Sequence, residues 1–215
     1  MTVKSFTFNP FATNCYVCHA DGEAVIVDPS CQTGPEIDTL LRYIEEQGLT
    51  VREMLLTHAH IDHIFGCRAL ADRLNIGLRA HREEVPFLEA AGFQARMFGV
   101  EVETPPSPEG FLVPGDTVSV GGHVWDILFT PGHSPGSVSF YDSEGGFVIA
   151  GDVLFAGSIG RTDLMGGSLP TLMESIYQKL VPLGASTRVL PGHGPETTIE
   201  RELATNPFLE ERVSG

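Results

Sequence analysis

Four apolar, strand-like segments of this chain each run into a histidine or an aspartate: MLLT into His58, DILFTPG into His133, FVIAG into Asp152 and RVLPG into His193. In open α/β sheets, ligand groups gather at the carboxyl ends of the strands. A chain that places imidazole or carboxylate at four such ends is constrained to a fold in which those ends meet. Polar residues that merely happen to follow strands account for one or two such cases, not four.

The first of these ends opens into a dense motif, THAHIDH, which holds His58, His60, Asp62 and His63 within six positions. Crowding these groups is costly through repulsion and desolvation unless a divalent cation is there to bind them. In an extended segment alternate residues point the same way. His58 and His60 therefore grip one ion, while Asp62 and His63, past a bend, face another. Imidazole combined with carboxylate suits zinc, iron or manganese, whereas calcium takes oxygen ligands alone.

The rest of the pattern says what carries these groups. SFTF, NCYVCHA and EAVIVD are short, rich in β-branched and aromatic residues, and separated by Asn-Pro and Asp-Gly, so they read as strands. PEIDTLLRYIEEQG changes period: Ile37, Leu40, Leu41 and Ile44 fall at i, i+3, i+4 and i+7, with Gly48 as the stop, which predicts an amphipathic helix. There follow a strand at EMLLT, a helix from about Phe65 to Leu74, a strand near Gly77 to Ala80 and a helix near Glu83 to Ala91. The segment Thr104 to Gly110 (TPPSPEG) is a loop. The second half repeats the order with VSV, VWDILF, SVSFYD and FVIAGD, a helix around Leu172 to Leu180 and a strand at RVL. This alternation predicts an α/β architecture with sheets inside and helices outside, in which runs such as VIV, MLL and FVIA are buried. No linker interrupts it, so one domain is expected over residues 1–215.

Composition narrows the partners. With 28 acidic against 13 basic residues and a net charge of -15, the chain has no basic face for phosphates, so no nucleic-acid partner is expected. There is no uninterrupted apolar run of about 18 residues and no signal-peptide layout at MTVKSFTFNP, so no membrane partner is expected and the chain reads as soluble and cytoplasmic. Cys15, Cys18, Cys31 and Cys67 are expected to be reduced. The lone CxxC at Cys15 and Cys18 lies in a strand-like segment, and Cys67 reads as a small buried thiol at a helix start. His19, His81 and His123 lie outside the motifs and read as surface residues.

The HxHxDH motif, GHSPGS around His133, GD at Asp152 and PGHG around His193 together resemble the metallo-β-lactamase fold, an αββα four-layer sandwich, over nearly the whole chain. The resemblance implies one metal on His58, His60 and His133 and a second on Asp62, His63 and His193, with Asp152 bridging them. Zinc is the first expectation for the two divalent ions, with iron and manganese as alternatives. Within that superfamily, the segments at Asn9 to Tyr16, VDPS, ARMFG, GRTD and NPFL resemble the short bacterial hydrolases similar to glyoxalase II. This implies a small-molecule thioester substrate, an S-acylglutathione such as S-lactoylglutathione.

The chemistry of such a site agrees with that reaction class. A water shared by two cations becomes hydroxide near neutral pH, without any serine or cysteine nucleophile. Asp62 or Asp152 is the catalytic group expected to orient it, while the metals stabilise the oxyanion and receive the thiolate. In GRTD, Gly157 and Gly160 would let the backbone approach the site, and Arg161 is a candidate substrate contact or a structural partner of Asp163. Phe155, with Phe65, Met97 and Phe98, is a candidate for an apolar wall beside the metals. The residues after His193 are too few for the helical glutathione-binding domain of full-length glyoxalase II, so loose recognition of glutathione is expected. Persulfide dioxygenases, which use one iron, also resemble this chain through GRTD, although PGHG around His193 is closer to the hydrolases. β-Lactamase activity is not expected from the loops, and a non-catalytic scaffold is disfavoured because none of the seven ligand positions is lost.

Overall fold

Period-two burial along the strands decides the layering. In the strand Glu23–Val27, Ala24 and Ile26 pack into one core while Val25 and Val27 pack into another, and all four are fully buried. A strand buried on both faces has to lie in the middle of a sandwich. The structure, a computed structural model, describes residues 1–209; the last six positions of the expected domain lie outside the described residues.

The first sheet contains β1 (Thr2–Phe8), β2 (Thr13–Ala20), β3 (Glu23–Val27), β4 (Thr50–Leu55), β5 (Gly77–Ala80) and β6 (Gly110–Phe111), side by side in chain order. β1 to β3 are antiparallel, and β3 to β6 run parallel. Between the parallel strands the chain crosses over through α1 (Gly34–Glu46), α2 (Cys67–Leu74), α3 (Val85–Glu89) and α4 (Ala91–Phe98). The second sheet is built from β7 (Thr117–Val120), β8 (His123–Phe129), β9 (Val138–Asp142), β10 (Phe147–Gly151), β13 (Arg188–Pro191) and β14 (Thr197–Thr198), in the order β14-β13-β10-β9-β8-β7. A small ribbon, β11 (Leu154–Phe155) with β12 (Ser158–Ile159), leaves the end of β10, and α5 (Leu169–Ser175) and α6 (Ile199–Thr205) complete the chain.

Tyr16, Val25, Val27 and Leu55 of the first sheet meet Trp125, Ile127, Phe140, Phe147 and Ile149 of the second, forming a dry layer between the sheets. The opposite faces are covered by helices: Leu40 and Ile44 of α1 and Leu70 of α2 lie over Ile26 and Met54, while Leu172 of α5 and Ile199 of α6 lie over Val148 and Val189. This is the expected αββα sandwich.

α1 forms where its periodicity puts it. Thr33 caps it, Glu36 reaches back to complete a capping box, and Ile37, Leu40 and Ile44 are buried. The expected helix near Glu83 to Ala91 is instead a turn at Arg82–Glu84, the short α3, and a separate α4 that continues to Phe98. α4 escaped detection because Phe93, Met97 and Phe98 stand exposed on it, so its apolar residues do not mark a buried face. The helix expected around Leu172 to Leu180 begins earlier, at Leu169 behind the Ser168 cap, and its last turn widens at Ile176–Leu180. His19, His81 and His123 are half-buried rather than free at the surface. His19 bonds Tyr43, His81 caps the turn at Glu83, and His123 bonds the buried Asp142.

The layer between the sheets should dominate stability. Phe140→Ala, at a fully buried site there, should lower the unfolding free energy by about 3–5 kcal/mol in a denaturant titration. Val124→Ala, on the exposed side of β8, should stay within about 0.5 kcal/mol.

Candidate metal centre

The two sheets are sewn together where their strands end. The Val138 N–H donates to the Thr57 carbonyl at 2.9 Å, the Asn14 N–H to the Gly192 carbonyl at 2.7 Å, and the Tyr16 hydroxyl to the Pro191 carbonyl at 2.6 Å. Along this seam β4, β8, β10 and β13 deliver His58, His133, Asp152 and His193. Past His60, the chain bends through a single 3-10 turn at Ile61–His63, which carries Asp62 and His63, and the His63 ring stays 4.1 Å from that of His58.

All seven candidate ligands are brought together. His58, His60 and His133 form one buried group and Asp62, His63 and His193 a second, and the ligand atoms within each group lie within 4.8 Å of one another. Asp152 lies between them: its Oδ2 is 3.5 Å from His133 Nε2 and 3.4 Å from His193 Nε2, and its Oδ1 is 3.4 Å from His63 Nε2. The first group is sealed, with His60 the most exposed member at 8%. The second opens outward through the side chains of Asp62 (14%) and His193 (28%).

Four of the five imidazoles are aimed by a partner on the outer nitrogen. His133 Nδ1 donates to the Arg161 carbonyl at 2.7 Å, His193 Nδ1 to the Phe11 carbonyl at 3.1 Å, and His63 Nδ1 to Asp28 Oδ2 at 3.0 Å. The Thr57 hydroxyl gives its proton to Asp28, so at 3.0 Å it accepts from His58 Nδ1. Outer bonds of this kind fix the tautomer and leave the inner nitrogen free to ligate. The inner nitrogens converge: His60 Nδ1 and His58 Nε2 lie 2.8 Å and 3.2 Å from His133 Nε2.

A pair of divalent ions fits this donor set. Among the described residues, His63 Nε2 and Asp152 Oδ1 are buried side-chain atoms with no hydrogen-bond partner, although they face each other. Buried polar atoms left in this way are costly unless something else coordinates them. The electrostatics divide along the same line. Burial, together with the neighbouring imidazoles, holds His58 well below the usual histidine range and pushes His60 down to about 3; His133 is also lowered, chiefly by burial. Neutral imidazoles are the form that ligates. In the second group burial opposes charge but is outweighed: Asp62, Asp152 and Asp28 raise His63, and hydrogen bonds to Asp152 and Asp62 bring His193 up to about 9. By the same balance, His63 and His193 hold Asp62 at about 2, and Asp152 well below the carboxylate range.

The remaining candidates are placed as follows. The Arg161 side chain is exposed and forks onto Asp163 through two bonds of 2.7 Å, so the brace on His133 is its carbonyl and not its guanidinium. Phe155 presents its ring to that of His193, with centroids 6.0 Å apart. Phe65 is core, stacked on Phe11, while Met97 and Phe98 lie on exposed faces of α4. Phe87, absent from the expectations, stands edge-on to His60 at 5.8 Å. Of the two loop glycines, Gly160 does touch the site: a Cβ there would run into the Asp152 carbonyl, whereas Gly157 has open space around it.

Three further groups were not anticipated from sequence. Asp28, in the left-handed region at φ 51°, holds Thr57 through both carboxylate oxygens as well as His63. It ends the apolar run EAVIVD and so obeys the same strand-end rule as the ligands, which would have revealed it. Thr13 donates to Asp62 Oδ2 at 2.8 Å. Glu84 lies fully buried beside Ala59 and Ser134, its carboxyl raised by burial that its hydrogen bonds only partly offset.

The fold and this centre define a metallo-hydrolase class, and comparison with known proteins agrees. The model of the metallo-beta-lactamase superfamily matches residues 8–193, and the chain belongs to that superfamily. It is 42% identical to the probable metallo-hydrolase YqgX of Bacillus subtilis, with 97% of this chain and 98% of that protein covered. It is 35% identical to the hydroxyacylglutathione hydrolase GloC of Haemophilus influenzae, with 99% and 100% covered. Among solved structures, the BLEG-1 B3 metallo-beta-lactamase is 39% identical with a TM-score of 0.89, covering 97% of this chain and 99% of that one. TTHA1623 in a di-iron-bound form is 40% identical with a TM-score of 0.87, covering 96% and 100%. ETHE1 from Myxococcus xanthus is more distant, at 28% and 0.78, covering 96% and 84%.

Gly192 tests how tightly the centre is built, because a Cβ there would collide with Asp152 Oδ1 and His63 Cε1. Gly192→Ala should keep its far-UV circular dichroism while metal affinity falls by about 10- to 100-fold. Unchanged metal binding would show that the strand end has room to spare.

Proposed function

We propose that this protein is a two-metal hydrolase of thioesters, with S-acylglutathiones such as S-lactoylglutathione as its substrate class. The hydrolytic part is carried by one observation: a sealed three-imidazole group and an open Asp62, His63 and His193 group meet at a single carboxylate, Asp152. An open position next to a closed one is what distinguishes catalytic from structural metal sites. The thioester part is supported by full-length similarity to GloC. Zinc is the proposed metal; iron, carried by the related TTHA1623 structure, and manganese suit the same donors.

Bound there, two divalent cations supply a water-derived nucleophile near neutral pH and polarise the scissile carbonyl. The chain's own residues prepare that chemistry. Asp62 is fixed by Thr13 and, through its backbone carbonyl, by the Asn9 amide. Held at about 2, its carboxylate stays ionised and accepts a hydrogen bond from the attacking water. Asp152, anchored between the groups, keeps them in register. Phe155 beside His193 offers apolar surface to the acyl part, while Phe87, buried beside His60, helps to keep bulk water from the sealed side. Arg161, forked onto Asp163 through Nε and Nη2, would meet substrate through Nη1 or by releasing Asp163. The proposed setting is the cytoplasm, consistent with four free cysteines. Among the described residues no helix is long and apolar enough to cross a membrane.

A second reading, an iron-dependent persulfide dioxygenase, draws on the GRTD segment and the likeness to ETHE1. One set of assays separates the readings. Metal-loaded protein should hydrolyse S-lactoylglutathione, lose that activity on chelation and regain it with zinc. Oxygen uptake on glutathione persulfide without thioester hydrolysis would transfer the function to the second reading, and nitrocefin turnover alone would transfer it to β-lactams. Asp152→Asn should lower kcat/KM by about 10- to 100-fold and bring metal content below two per chain. Arg161→Ala should leave metal content and melting temperature unchanged, with KM raised if its guanidinium meets substrate.

A further inference from the structure

Glu84 ends the turn Arg82–Glu84, and its side chain is fully buried. Its Oε2 accepts the Ala59 N–H at 2.7 Å; its Oε1 accepts the Gly136 N–H at 2.7 Å and the Ser134 hydroxyl at 2.5 Å. Ala59 lies between His58 and His60, and Ser134 follows His133. One carboxylate therefore joins the two loops that carry all three imidazoles of the sealed group. It makes no bond to Asp62, His63 or His193.

Gln94, on α4, grips the same segment. Its Nε2 donates to the Ala59 carbonyl at 3.1 Å and to the Phe87 carbonyl at 2.9 Å, while its Oε1 accepts the Ile61 N–H at 3.1 Å. The peptide groups on both sides of His60 are thus held by one side chain of α4, and the Ala59 N–H by Glu84 just before α3. The open group is held by different residues: Asp28 on His63, Thr13 on Asp62 and the Phe11 carbonyl on His193.

A carboxylate in a dry interior is costly unless its bonds serve something that an apolar residue cannot supply. Three donors arriving from two loops require an acceptor on both sides of the group. Glutamine cannot replace it, because its amide NH2 would face an N–H on one side.

We infer that Glu84 is a positioning residue for the sealed half of the centre, setting the separation of His58, His60 and His133 by tying Ala59 to Ser134 and Gly136. The inference rests on the two-metal reading. It makes the two halves separable: loss of Glu84 weakens one metal and spares the other.

Full-length metal-free protein, titrated with cobalt(II) and followed by visible absorption, tests this in two backgrounds. His193→Ala disables the open group and His60→Ala the sealed one. Glu84→Gln should weaken cobalt binding by about tenfold or more in the His193→Ala background and change it by less than about twofold in the His60→Ala background. Equal weakening in both, or a lower melting temperature with both titrations unchanged, would overturn the assignment. If Glu84→Gln does not fold, Ser134→Ala decides, since it removes one of the three bonds and keeps the carboxylate. A loss confined to the His193→Ala background supports the role, and an unchanged titration overturns it. Wild-type protein that takes up no cobalt would instead overturn the two-metal reading itself.

Discussion

Two imidazole nitrogens, His60 Nδ1 and His58 Nε2, approach His133 Nε2 to 2.8 Å and 3.2 Å along the seam between the two sheets. His58 and His133 already carry a proton on the outer nitrogen, so a second one on the inner nitrogen would be buried charge. A cation among the rings, or a neutral His60 that donates its Nδ1–H to His133, relieves the repulsion of their lone pairs, and either requires a frame that holds the rings in place. Much of the surrounding polar structure serves that frame. Thr57, the Arg161 carbonyl, Glu84 and Gln94 each hold a ring or the peptide beside it. The sandwich of apolar faces beneath supplies the rigidity that these bonds require.

The second group answers a different demand. Its members are one carboxylate and two imidazoles of opposite tendency, and two of its three side chains reach solvent. Water and substrate therefore enter on the side of Asp62 and His193, while the three-imidazole side stays closed. Asp152 belongs to both environments. Its Oδ2 faces a histidine of each group and its Oδ1 faces His63 of the open one, and this gives one strand end, at β10, control over the distance between the halves. The superfamily to which the chain belongs and its hydrolytic class agree with this arrangement.

What could be read in the sequence was whatever is written in local periodicity or in residue type at a strand end. α1 follows from Ile37, Leu40, Leu41 and Ile44, and the longer strands of both sheets follow from short apolar runs that stop at turn residues, whereas the two-residue strands β6 and β14 carry no such run. α4 was illegible because its large apolar residues face outward, leaving no amphipathic signal. Glu84 and Gln94 were illegible for another reason. A glutamate in HREEVPF and a glutamine in GFQARMF look like ordinary solvated residues, and only their burial against Ala59 distinguishes them. Arg161 shows the converse, since the motif drew attention to its charged side chain while the contact with His133 is made by its carbonyl.

The sequence by itself determined the donor set and the layered architecture, because ligand chemistry depends on residue type and layering depends on a two-residue alternation carried within each strand. Tertiary structure alone decided which group opens to solvent and which residues hold the ligands in place. Those properties depend on distances between segments far apart in the chain, such as Glu84 to Ser134 or Asp28 to His63. No local pattern encodes such a distance; it is set when the two sheets close on their common core.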